Sequence, residues 1–103
     1  MSQLPEAPKT YRDFIARFPK LGEAWESLSE AGQQGPLDAK AQRLLKLAVA
    51  IGAMREGSVH ASARKALAAG ITREEMDQVV ALAAGTLGMP STVAVWSWIR
   101  EVE

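Results

Sequence analysis

Residues 64–76 read Arg64-Lys65-Ala66-Leu67-Ala68-Ala69-Gly70-Ile71-Thr72-Arg73-Glu74-Glu75-Met76. Gly70 is the residue type that most readily takes the left-handed turn after a helix. Thr72, three positions before Glu75, forms the pattern of a capping box, in which the threonine caps a new helix and the glutamate reaches back. One helix therefore stops and another starts within a few residues. The new helix carries Met76, Val79, Val80, Ala83, Ala84 and Leu87 at spacings of three and four, an unbroken apolar stripe. The preceding helix begins near Gly57 or Ser58.

The same periodicity extends in both directions. Asp38 is a good N-cap for a third helix running to about Met54. Its residues Leu44, Leu45, Leu47, Ala48, Val49, Ile51 and Met54 leave little polar surface, which predicts burial against another subunit. Earlier, Tyr11, Phe14, Ile15 and Phe18 mark a helix over 10–18. Pro19 permits a second start, continued by Leu21, Trp25 and Leu28. Gly32 stops it, and Gln33-Gln34-Gly35-Pro36 reads as a loop. Pro5 and Pro8 make residues 1–9 a flexible lead. Toward the other end, Gly88 and Pro90 close the fifth helix and Ser91 caps a sixth. That helix offers two apolar sides, Val93-Trp96-Ile99 and Val95-Trp98-Val102. No alternating stretch predicts a strand. The expectation is an all-α single domain over 10–103 with six helices. Its buried face includes Leu44, Leu47, Ile51, Val79, Val80, Ala83 and Leu87.

Composition narrows the function. The 103 residues hold 12 basic and 12 acidic side chains, one histidine and no cysteine. A balanced charge disfavours nucleic acid as an obligatory partner. The lack of cysteine removes disulfides, thiol redox chemistry and thiolate metal sites. A single histidine leaves only carboxylates to complete a zinc site, so no metal and no bound cofactor are expected. The polar start predicts no signal peptide. No apolar run approaches the roughly 18 residues that span a bilayer. A cytoplasmic protein without membrane contact is expected.

Glu56, His60 and Arg64 stand at i, i+4 and i+8, one face of a helix. A carboxylate beside an imidazole orients it as a general base. Such a ladder also occurs as a plain solvated face. Ser58 and Ser62 each lie two residues from His60 and point away from it on a regular helix. That spacing argues against a Ser-His nucleophile. The Ala66-to-Met76 rhythm also fits a helix-turn-helix. There, Glu74, Glu75 and Asp77 would repel phosphate, so DNA binding is the remote alternative.

The blocks Glu56-Gly57-Ser58-Val59-His60, 64–76, Val79-Val80 and Gly85-Thr86-Leu87-Gly88-Met89-Pro90 resemble the carboxymuconolactone decarboxylase family, which includes the alkylhydroperoxidase-D-like proteins. Tyr11-Arg12-Asp13-Phe14 and the 44–50 helix are similar to its small single-motif members. The resemblance covers about residues 10–102. It implies a helical subunit assembling as a homo-trimer or homo-hexamer. It also implies a Cys-x-x-Cys-x-x-x-His motif in the reductase branch. Counted back from Gly70, those positions are Arg55, Ser58 and Ser62, and all three depart from the motif. The peroxide-reducing cycle therefore cannot run. The decarboxylase branch's histidine is missing at Ser62 too.

Two function classes follow. One is a non-redox acid–base site on a small carboxylated substrate, with His60 as base, Glu56 orienting it, and Arg55 or Arg64 attracting the substrate carboxylate. The other is a catalytically silent or engineered oligomeric scaffold. Trp96 and Trp98 are the expected interface residues, because tryptophan buries much area with few rotors.

Overall fold

Helix signals decide the architecture of the computed structural model, which describes residues 8–103. Of the expected flexible lead, residues 1–7 lie outside the described residues. All six expected helices are present: α1 (Lys9–Arg17), α2 (Pro19–Gln33), α3 (Ala39–Gly52), α4 (Glu56–Ala68), α5 (Arg73–Leu87) and α6 (Met89–Arg100). Among the described residues there is no strand. None of these helices is long and apolar enough to cross a membrane.

The described chain forms two compact units, 8–37 and Asp38–Glu103. In the first, Pro19 occupies the opening turn of α2, where its missing N–H costs nothing. The Phe14 and Phe18 rings lie 5.1 Å apart, and the Arg17 guanidinium sits 4.7 Å from the Phe18 ring centre. Gly22 lets α2 approach α1, since an added Cβ would meet the Ile15 Cβ at 3.3 Å. Phe14, Phe18, Leu21, Trp25 and Leu28 are all exposed.

The second unit packs α3 against α4 and α5, with α6 on α4 and α5. Asp38 caps α3, accepting a hydrogen bond from the Ala41 N–H at 2.7 Å. The Thr72–Glu75 capping box is present in both directions. After α4, Gly70 takes φ +89°, its N–H donates to the Leu67 carbonyl, and the Ile71 N–H donates to the Ala66 carbonyl. This pair of bonds is the Schellman stop that the glycine predicts, and the buried Ile71 seals it.

The core is Leu47, Ala50, Ile51, Val59, Ala63, Ala66, Ile71, Met76, Val80, Val95, Ile99 and Val102. Of the expected buried face, Leu47, Ile51 and Val80 are fully inside. Leu44, Val79, Ala83 and Leu87 are partly buried and pack against that core. Two expectations need correction. Ser91 is not the cap of the last helix. Gly88, at φ +82°, is the junction, and Pro90 lies inside the first turn of α6 rather than ending α5. A proline is tolerated there because that N–H has no helical partner anyway. Of the two apolar sides of α6, Val95-Trp98-Val102 lies against the core, with Trp98 half-buried, whereas Val93-Trp96-Ile99 does so only at Ile99. Thr92, Val95, Ile99 and Val102 face inward, while Val93 and Trp96 are exposed.

Candidate functional site

The approach to α4 is set by how α3 stops. Met54 adopts φ +55°, its N–H donates to the Ile51 carbonyl, and the Arg55 N–H donates to the Ala50 carbonyl. This is a second Schellman-type stop, with methionine where glycine is usual. Arg55 then serves as N-cap of α4, and Glu56 falls in its first turn. A carboxylate there is favoured by the positive end of the helix dipole. His60 and Arg64 follow one and two turns later and are half-buried, as the spacing predicts.

The carboxylate in direct hydrogen-bond contact with the imidazole comes from elsewhere. Glu101, just past α6, places Oε2 3.1 Å from His60 Nε2. Its position follows from its neighbour. Val102 is buried, its N–H donates to the Ile99 carbonyl at 3.1 Å, and its carbonyl accepts from the Arg73 guanidinium. Donor atoms of Glu56, His60 and Glu101 all lie within 4.8 Å of one another. Beside them opens a cavity of about 440 Å³ lined by His60, Arg64, Glu101, Val102 and Glu103. Because Glu101 takes Nε2, the N–H there donates to the carboxylate and Nδ1 is left as the proton-accepting nitrogen.

The other candidates separate. Arg64 is at the cavity, whereas Arg55 is exposed and is not among its lining residues. Ser58 is exposed and Ser62 half-buried, and neither lines it. Trp96 donates its indole N–H to Asp77 Oδ1 at 3.0 Å, with the Arg100 guanidinium 4.6 Å from its ring centre. Trp98 is half-buried against the core.

Two side chains near this framework have displaced pKa values. Glu75 is held below the usual carboxylate range, chiefly by its bond with Lys40 and then by the Thr72 N–H. Lys65 is lowered by burial and by the nearby charges of Arg43, Lys46 and Arg64. Elsewhere in the unit, Leu44, Leu45, Ala48, Val79, Leu82 and Ala83, with Glu75 and Gln78, line a largely apolar groove of about 460 Å³ between α3 and α5. Leu82 and Val49 are the most exposed large hydrophobic side chains of the described residues, at 75% and 71%.

Residues 19–101 match the sequence model of the carboxymuconolactone decarboxylase family. The chain belongs to that family. Among solved structures, the fold is similar to that of apo-lpg0406, a carboxymuconolactone decarboxylase family protein from Legionella pneumophila. The TM-score is 0.77 at 24% identity, covering 88% of this chain and 82% of that one. None of the curated proteins compared matches the chain. Within the carboxymuconolactone decarboxylase family, this member carries a Glu-His-Glu cluster and no cysteine.

Proposed function

We propose that this family member works in the cytoplasm as a homo-oligomer, a trimer or hexamer, carrying a non-redox acid–base site for a small carboxylated substrate. The observation behind the site is the His60–Glu101 contact at the mouth of a cavity that also presents Arg64. In this reading His60 removes a proton through Nδ1 from a carbon next to a carbonyl. Glu101 holds the ring and stabilises the imidazolium that forms. Glu56 adds a second negative charge to that stabilisation. Arg64 receives the substrate carboxylate, a task that a planar guanidinium suits. A catalyst of this kind needs no thiol, which agrees with Arg55, Ser58 and Ser62 at the positions of the family's motif.

The oligomer is supported by the exposed apolar groove of α3 and α5 and by the family's resemblance in sequence. Such a patch is costly to leave in water.

The test is turnover of small carboxylated lactones and enols by wild-type protein, His60→Ala and Arg64→Met. Wild-type turnover that disappears in His60→Ala, with native mass unchanged, supports the site. Equal turnover in His60→Ala removes it. No turnover at all, together with a stable oligomer, favours the silent scaffold, which the empty motif positions also suit.

A further inference from the structure

We infer that Glu56, His60 and Glu101 form a binding site for a divalent first-row transition-metal cation such as Mn²⁺ or Zn²⁺. The inference uses the side chains of the proposed acid–base site but does not depend on their turning over a substrate.

The geometry comes first. Metal–ligand bonds of about 2.1 Å put neighbouring donor atoms about 3 Å apart in an octahedral site and about 3.4 Å apart in a tetrahedral one. His60 Nε2 and Glu101 Oε2 already stand at 3.1 Å, near the spacing of neighbouring ligands; on binding, the cation replaces the proton between them, and the ring of the neutral histidine then carries its proton on Nδ1. One carboxylate oxygen of Glu56, one ring nitrogen of His60 and one oxygen of Glu101 lie within 4.8 Å of one another, and Glu56 is exposed, with room to turn toward a shared ion. Two of the ligands sit one helical turn apart on α4, a rigid spacing. The third is held by the anchored end of α6, through Val102 and Arg73.

Charge and donor type agree. The two glutamates bring two formal negative charges to one spot, and a divalent cation neutralises both. Among the described residues, Arg64 makes no ion pair with either of them. One imidazole with two carboxylates is a mixed borderline and hard donor set, suited to Mn²⁺ or Zn²⁺ rather than to soft Cu⁺. Three protein ligands leave positions open toward the 440 Å³ cavity, where water or a ligand oxygen completes the sphere. The composition pointed away from zinc because only carboxylates could assist the one histidine. The fold gathers two such carboxylates around it.

The single histidine makes the test direct. Zn²⁺ is titrated into the chelator-treated full chain, followed by calorimetry and by the ¹⁵N resonances of the imidazole. The expected result is one cation per chain at micromolar affinity, with a shift of the His60 Nε2 resonance. Glu56→Gln and Glu101→Gln should each weaken binding on the order of tenfold or more. His60→Gln should weaken it further, and Glu74→Gln, an exposed carboxylate elsewhere, should change nothing. Helical circular dichroism confirms that each variant folds. An unmoved His60 resonance, or affinity equal to wild type in both glutamate variants, overturns the site. Cation uptake without turnover would leave this inference standing and remove the acid–base reading. Turnover lost in His60→Ala without cation uptake would do the reverse.

Discussion

His60 Nε2 and Glu101 Oε2 meet at 3.1 Å across 41 residues of sequence, joining the second turn of α4 to the end of α6. The contact depends on an anchor beyond the helix. Val102 is buried and its carbonyl is bonded by Arg73, the first residue of α5. Three helices thus converge on one hydrogen bond.

That anchor can be tested apart from the site. Arg73→Ala should free the last residues and cost about 1.5–3 kcal/mol, the usual worth of a hydrogen bond from a charged donor. Chemical denaturation checks the stability. The His60 ring resonances should move toward those of Glu101→Gln. Unchanged resonances would mean that Glu101 holds its place without the anchor.

Met54 predicts a gain. A non-glycine residue at φ +55° is strained by about 1 kcal/mol, and Met54 is partly exposed, so it loses little packing. Met54→Gly should relieve that strain, less the larger entropy glycine loses on folding. The expected outcome is a melting temperature equal to or a few degrees above wild type. A large loss would show that the methionine side chain is needed where α3 turns into α4.

The Glu75 network predicts the acid limb of the stability curve. Its folded pKa lies below the ordinary carboxylate value, owing first to Lys40 and then to Thr72. A depressed carboxylate contributes stability above its unfolded pKa and loses it as pH falls through the folded value. Wild type should therefore lose stability on acidification below about pH 4.5, and Glu75→Gln should flatten that slope. Thr72→Ala should cost about 1 kcal/mol at neutral pH through loss of the cap. Thermal melts across the acid range measure both.

Much of this framework is legible in the residues themselves. Asp38, Gly70 and the Thr72–Glu75 pair each act locally, within one turn, so the sequence pattern carries them. The Glu56–His60–Arg64 face is legible for the same reason. Glu101 was missed because its role depends on a tertiary contact between α4 and α6, and a single acid after a helix has no distinguishing pattern. The Gly88–Pro90 junction misled in a different way. Proline ends one helix or opens another equally well, and only the backbone at Gly88 decides.

The apolar groove carries the assembly prediction. Leu82 of α5 lines it, and Val49 of α3, outside its lining, is a second exposed apolar side chain, yet nothing in a lone subunit rewards that exposure. Val49→Lys with Leu82→Lys should lower the native mass by light scattering while keeping the helical spectrum. Trp96 is already served by Asp77 and Arg100, so Trp96→Ala should have the smaller effect on mass.

The proposed site is tested most directly by proton exchange. A small carboxylated lactone is incubated with the protein in D₂O, and deuterium uptake at the carbon beside the carbonyl is followed by NMR. If His60 is the base, it removes that proton, and the resulting enolate takes deuterium back from solvent. Wild type should catalyse uptake and His60→Ala should be slower by on the order of a hundredfold. Equal rates in the two proteins, or no uptake by wild type across a panel of such lactones, would contradict the account.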